Sequence, residues 1–471
     1  MSSGVEKGPS RLRDLWLAAA LVVATLAAWP LLATPGLVNT RAGGDSPFLL
    51  LRTYELQANL RAGTLPARWM PDAAYGLGYP FFNYYASLPY YLGAALSLAG
   101  AGVLWGLKLA QLIGFLGAAV AMYALAGELF DDHAAGFLAA AAYTLAPFHM
   151  VNVYVRGDSL SEFYAFVFYP LILWSILRLR RRPTAGHIAI LACAYAGLML
   201  SHNISALIFS PLAGLVLLVA AATAPRARLR VFLLGAAGLL LGAALSAWFW
   251  VPALLERGAV SLNDMTTGYF NYAGHFRWAE LVQRSLRFDY AIDAARTPFA
   301  MGGLQAGLAA MGLAALLVAG LRQRRRLALA LGLALLAGYA IWPITPSSSA
   351  LWAHVPLLPM VQFPWRFLSI ASLATALLTG AGLAALRSPR IGKGALTPAG
   401  RALGAQAPGS PATCAGRGEA LVTSVGANGR DFPEPGCGHT SPLPAHVAGE
   451  PTAPAQTTHE SGSTSPLPAH V

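Results

Sequence analysis

Long apolar runs, each cut off by a short polar break, occupy the first 390 residues. Runs of about the length that spans a bilayer core, ~17–25 residues, fall near 15–33, 106–127, 134–152, 163–178, 187–201, 204–223, 231–253, 302–321, 327–343 and 367–386. Several are short or share a boundary, so the pattern predicts the helices better than their ends. It reads as an all-α integral membrane protein with about ten transmembrane helices. The first run contains Pro30 and lacks a small-residue cleavage site, so it reads as a retained helix rather than a signal peptide.

One further run, 84–104, has to be placed by charge. Basic clusters stand at 178–182, 226–230, 322–326 and 387–390, and Lys7, Arg11 and Arg13 make the N-terminus basic. Ten crossings put all of these on one side, which the positive-inside rule assigns to the cytoplasm; an eleventh would put the later clusters outside. Residues 84–104 are therefore expected to lie in the interface or to re-enter. The aromatic stretch "FFNYYASLPYY" suits headgroup depth. The expected organisation is a cytoplasmic N-terminus (1–14) and a polytopic domain (15–390) in the plasma membrane, with outward segments at about 34–105, 153–162, 254–301 and 344–366. The first of these carries juxtamembrane helices. Beyond residue 390 the pattern is lost, and "TSPLPAHV" occurs twice, at 440–447 and 464–471. This part reads as a low-complexity, disordered cytoplasmic tail, or alternatively as sequence outside the true reading frame that leaves a truncated membrane domain.

Composition agrees with a membrane domain: 56% of the residues are hydrophobic and 11% charged, and the mean hydropathy is +0.54. The net charge of +12 does not point to nucleic acid, because the arginines sit in clusters between apolar runs, as topology requires. Cys193, Cys414 and Cys437 have neither disulfide-framework nor zinc spacing.

Polar residues at the edge of a membrane domain are the candidates for chemistry. Asp45 follows two glycines after the first helix; it is either a cap for a helix beginning near Pro47 or an interfacial acid. "YVRGDSLSEFYAF" (154–166) groups Arg156, Asp158 and Glu162, with the two acids four apart and so on one helical face. Asp158 or Ser159 can cap the next helix, with Glu162 in its first turn, and Arg156 can hold a phosphate through its planar fork. His202 in "SHNIS" is a hydrogen-bonded turn residue or a site residue. In "AWFWVPALLERG" (247–258) an aromatic belt precedes Glu256, and "VQFPWRFLS" (361–369) puts Gln362, Trp365 and Arg366 at the mouth of the last helix. An outward arginine there either binds phosphate or snorkels to headgroups. The acids can coordinate a divalent cation, though no ligand spacing demands one, and the sequence leaves the cofactor unknown. Phosphate-binding loops, HExxH, dinucleotide fingerprints and nucleophile elbows are all missing from the sequence.

The order of these features resembles the GT-C class of integral membrane glycosyltransferases. More narrowly, "GGDSPFLLLRTYELQANLRAGTLPARW", "YVRGDSLSEF", "SAWFWVPALLE" and "QFPWRF" resemble a group of uncharacterised bacterial membrane proteins labelled as 6-pyruvoyl-tetrahydropterin synthase-related, over about residues 10–390. That label does not imply pterin chemistry, since no histidine cluster suits the zinc site of a soluble pterin synthase. The GT-C resemblance implies a polyprenyl-phosphate sugar donor in the outer leaflet and a cell-envelope acceptor. It implies Asp45 as general base or as the group that orients the acceptor, Asp158 and Glu162 at the second acidic position, and Arg156 or Arg366 on the departing phosphate; His202, Glu256, Gln362 and Trp365 would line the substrate. The alternatives are a lipid or polymer transporter or flippase, and a non-catalytic membrane scaffold. Acids gathered at one face favour interfacial chemistry over transport.

Overall fold

The computed structural model describes residues 8–38, 46–157, 159–224, 227–291 and 298–387. Asp45, Asp158 and the segment after 390 lie outside the described residues. Among the described residues, sixteen α-helices make up nearly all of the secondary structure, and the one sheet is a parallel pair of two-residue strands, β1 (Val282–Gln283) and β2 (Met301–Gly302). Among the described residues, eight helices are long and apolar enough to cross a membrane, and a bent pair raises this to nine. A shorter apolar helix, Ala185–Ser201, accounts for the remaining run read from the sequence.

In chain order the helices begin with α1 (Gly8–Ala33), followed by the short helices α2 (Ser46–Arg61), α3 (Phe81–Tyr84) and α4 (Leu88–Leu96). Next come α5 (Gly102–Phe130), α6 (His133–Thr144), α7 (Pro147–Tyr154), α8 (Leu160–Arg181), α9 (Ala185–Ser201) and α10 (Asn203–Ala222). They continue with α11 (Arg228–Leu245), α12 (Ala247–Leu255), α13 (Gly303–Gly320), α14 (Arg324–Ile341), α15 (Ser349–His354) and α16 (Leu368–Arg387).

Three breaks depart from the apolar pattern. Between α4 and α5, Gly100 and Gly102 take φ of +108° and +73°, which only glycine enters at little cost. The chain reverses there and α4 folds back along α5, so closely that a Cβ on Gly106 would lie 2.4 Å from the Gly93 carbonyl oxygen. Nine residues of α4 rise only about 14 Å, too little to span. The run 134–152 is bent by 42° between α6 and α7, where Pro147 has no N–H for the Tyr143 carbonyl. His149 Nδ1 lies 3.0 Å from the Thr144 carbonyl exposed by the same break. The run 231–253 divides at Ser246, whose hydroxyl donates back to the carbonyls of Gly242 and Ala243 while the Trp250 indole N–H also takes Ala243.

α16 is the central helix, with 94% of its apolar window buried against 22% for α13. Small residues make this possible: a Cβ on Gly312 of α13 would fall 2.0 Å from the Leu378 carbonyl oxygen of α16, so the two backbones touch, as close-packed membrane helices do. The hydroxyls of Ser372, Thr375 and Thr379 are satisfied within α16 by carbonyls four residues back. The outer helices expose large apolar side chains, among them Leu233 and Leu240 of α11 and Met311 and Val318 of α13, a surface suited to lipid.

The two ends of the bundle differ. At one, Glu128 pairs with Arg178 and Arg181, and Asp132 pairs with Arg387 at 3.3 Å. α8 runs from this basic end for 22 residues, about 33 Å, to Glu162 at the other end, where the first loop, 254–291 and 342–367 meet.

Candidate functional site

The site is built at the junction of α7 and α8. The amides of Val155 and Arg156 both bond to the Val151 carbonyl and close α7; Gly157 then turns the chain at φ +74°. Arg156 is thereby folded back over its own helix, donating from Nη1 to Asn152 Oδ1 at 2.8 Å and to Glu162. Both bonds use the same nitrogen, and among the described residues Nε and Nη2 have no protein acceptor. Glu162 is buried in the first turn of α8. Ser159 does not cap α8 as its position suggests: with ψ near 28° it lacks the extended geometry of a capping residue, and among the described residues its hydroxyl has no partner.

Arg366 reaches the same carboxylate from a different part of the chain. A 3-10 turn, Pro364–Phe367, leads into α16 and places the Arg366 Nε 4.0 Å from Glu162 Oε2, with Nη1 donating to the Val361 carbonyl at 3.1 Å. His202, between α9 and α10, accepts the Ser205 amide and hydroxyl at Nδ1 and so caps α10. Burial holds its imidazole down to about 3; nearby Glu162 opposes this, and Arg366 and Arg156 reinforce it. His202 is thus a neutral cap whose charge state is coupled to the Arg156–Glu162–Arg366 group.

Trp365 belongs to the wall of this site. Phe299 stacks on it at 4.0 Å and 7°, Phe363 at 4.8 Å and 20°, and the Arg156 guanidinium lies 5.0 Å from its ring. With its faces so covered, Trp365 packs and orients Arg156 rather than offering an open platform. Gln362 likewise faces away from the charged group: it is buried with φ +65° and donates to the Met265 carbonyl at 2.9 Å, tying down the 254–291 segment.

Glu256 lies in a second cluster. Its carboxylate accepts from Asn83 Nδ2 at 2.8 Å and stands 3.6 Å from Arg68, while its carbonyl accepts from the Tyr84 hydroxyl. The structure therefore brings Arg156, Glu162, His202, Trp365 and Arg366 together and separates Glu256 and Gln362 from them. Among the described residues, no three or more His, Cys, Asp or Glu side chains lie close enough to hold a metal ion.

Sequence reasoning missed several buried polar residues. Arg52 of α2 packs over Phe81 at 4.4 Å and donates to the Tyr90 hydroxyl. One turn on, Glu55 is fully buried, accepting the Asp72 amide at one oxygen while the other has no partner among the described residues. Burial raises its carboxyl above the ordinary value, the Asp72 amide opposing and the Asp72 charge adding. The spacing of Arg52, Glu55 and Asn59 on one helical face was the available signal. Lys108 is fully buried in α5 and donates to the Thr34 carbonyl just beyond α1, with the Trp105 ring 5.1 Å away. It fastens the C-terminal end of α1, whose last carbonyls favour a cation.

The match to known proteins takes in three of the four stretches that carried the sequence resemblance; the fourth, 43–69, precedes it. Residues 82–390 match a family described as a 6-pyruvoyl-tetrahydropterin synthase related domain of membrane proteins. An uncharacterized protein of Lactococcus lactis subsp. cremoris (strain MG1363) is 24% identical over 265 residues, 54% of this chain and 43% of that protein. The chain thus spans less than half the length of that relative. Since the family match covers most of the α3–α16 bundle and the whole Arg156–Glu162–Arg366 group, the chain belongs to the 6-pyruvoyl-tetrahydropterin synthase related family of membrane proteins.

Proposed function

We propose that the protein is a membrane glycosyltransferase that moves a sugar from an outer-leaflet polyprenyl-phosphate donor to a cell-envelope acceptor. The observation that carries this reading is Arg156: a guanidinium fixed by Asn152, Glu162 and Trp365, with its Nε and Nη2 edge unspent among the described residues. That edge matches two oxygens of a phosphate. By the positive-inside rule the end bearing Glu128, Asp132 and the arginine clusters is cytoplasmic, and the Arg156 end faces outward.

In the proposed reaction an acceptor hydroxyl gives its proton to Asp45 as its oxygen bonds to the anomeric carbon. The bond from that carbon to the phosphate oxygen breaks, and the electron pair leaves with the polyprenyl phosphate. Arg156 and Arg366 stabilise the charge gathering on the departing phosphate. Glu162 holds the two arginines in place, a positioning role rather than the acid–base role its place in the sequence suggested. Asp158 stands between Arg156 and Glu162 in the chain and is proposed to serve the same end.

The test is sugar transfer to membrane extracts from a panel of radiolabelled polyprenyl-phosphate sugars, using the full chain purified in lipid. Wild type should transfer; Asp45→Asn should not, and Arg156→Lys should be slower by about a hundredfold, the usual effect of losing one aimed donor. Folded wild type that transfers none of the panel overturns the proposal and favours a lipid transporter.

A further inference from the structure

Behind the charged group lies a layer of neutral hydroxyls that the sequence did not single out. Tyr169 follows Glu162 by two turns of α8, on the same face and about 10 Å along the helix. Helical side chains lean toward the N-terminus of their helix, so the phenol points back toward the site. Its ring is fully buried and stacks on Phe209 of α10 at 4.4 Å and 28°. Its hydroxyl lies 3.2 Å from the Ser369 hydroxyl of α16, with the Ser205 hydroxyl of α10 as a second neighbour. Both serines are buried.

Following the protons fixes the direction of these bonds. Ser369 gives its proton to the Arg366 carbonyl at 2.8 Å, so Tyr169 is the donor to Ser369. Ser205 gives its proton to His202 Nδ1, which already accepts the Ser205 amide and carries no proton of its own. Each serine oxygen is thus left as an acceptor, and one phenol proton faces both. Packing alone asks for phenylalanine here; a hydroxyl so buried is tolerated because it has a partner.

We infer that Tyr169 is a positioning residue for Arg366, fastening the turn that carries the arginine to the helix that carries Glu162. Arg156 hydrogen-bonds Glu162 directly. Arg366 stands 4.0 Å from the same carboxylate, beyond hydrogen-bond distance, and its Nη1 bonds to the Val361 carbonyl of its own segment. Where its guanidinium stands therefore follows the Pro364–Phe367 turn. Stacking on Phe299 holds that turn at Trp365; the bridge from Tyr169 through Ser369 to the Arg366 carbonyl adds a directional tie from α8. That Arg366 acts on a departing phosphate rests on the transferase reading; the tie itself does not.

The experiment compares wild type, Tyr169→Phe, Arg366→Gln and the double variant as full chains in lipid, by sugar transfer from the same donor panel and by SDS-induced unfolding in mixed micelles. Tyr169→Phe keeps the ring and removes the bridge. It should lower kcat about tenfold, less than the roughly hundredfold that a displacement of about 1 Å can cost. KM for the donor should stay within about twofold, since Arg156 still holds the phosphate. In the Arg366→Gln background the same change should lower kcat less than about twofold, whereas a packing defect would carry through equally in both. In unfolding, the two substitutions should depart from additivity by at least about threefold in the equilibrium constant. If Tyr169→Phe does not fold, Ser369→Ala breaks the same bridge from the other side and takes its place. An unchanged kcat, or effects that simply multiply, overturns the proposal. No transfer by folded wild type removes the transferase reading, and the unfolding cycle then decides: coupling leaves Tyr169 as the fastening of Arg366, and additivity overturns that as well.

Discussion

Replacing Glu162 with glutamine tests the electrostatic logic of the buried group directly. The substitution keeps the shape of the side chain and its place in the first turn of α8 but removes the negative charge between two guanidiniums. Arg366 Nε is 4.0 Å from Glu162 Oε2; at an effective dielectric near 20, a unit pair at that distance interacts by about 4 kcal/mol. Arg156 is in direct hydrogen-bond contact with the same carboxylate, so its attraction is larger still. Part of this is offset by the desolvation of burying the three groups, and removal of one partner from buried ion pairs costs about 3–5 kcal/mol. Glu162→Gln should therefore lower the stability of the bundle by about 3–5 kcal/mol, measured by SDS-induced unfolding in mixed micelles. In a double-mutant cycle with Arg156→Gln, the two changes should couple by at least about 2 kcal/mol, because once the carboxylate is gone the second charge has less to lose. A Glu162→Gln protein within about 1 kcal/mol of wild type, or a cycle with no coupling, refutes the claim that Glu162 holds the arginines together.

Burial pushes the His202 imidazole down to about 3 in the folded protein from an ordinary value near 6.5. In that window the unfolded chain binds a proton that the folded one does not, so stability falls as pH drops below 6.5, by at most about 1.4 kcal/mol per pH unit from this group. His202→Asn keeps a capping acceptor for α10 but cannot titrate, so its melting temperature should vary less than that of wild type between pH 7 and 5. Gly312→Ala forces a Cβ against the Leu378 carbonyl and should cost about 1–3 kcal/mol in the same unfolding assay; Gly307→Ala, with open space around it, should be neutral or gain up to about 1 kcal/mol. Asp132 caps α6 by accepting the amides of Ala134 and Ala135, so Asp132→Ala should cost about 1 kcal/mol. A larger loss would mean that its exposed pair with Arg387 matters more than surface ion pairs usually do.

What the sequence by itself determined is the set of membrane helices and the family. Burying a helix in lipid requires an unbroken apolar stretch, a property of consecutive residues, so every run read along the chain corresponds to a helix or a bent helix pair. The family signals, such as "YVRGDSLSEF" and "QFPWRF", are equally local, whereas 84–104 was set apart by the sidedness of the basic clusters along the chain, with its aromatic content in support. The tertiary structure decided which polar residues share a site. Arg156, His202 and Arg366 are separated by more than two hundred residues between the first and the last, and nothing in their spacing says that Arg156 and Arg366 meet at Glu162 while Glu256 joins Asn83 and Arg68. Nor could local pattern reveal Lys108 as the fastening of α1, since its acceptor, the Thr34 carbonyl, lies 74 residues away. The physical reason is one of range: hydrophobic burial is approximately additive residue by residue and leaves its period in the sequence, whereas a buried charge is tolerable only beside a particular partner, and that partner is chosen by the packing of helices.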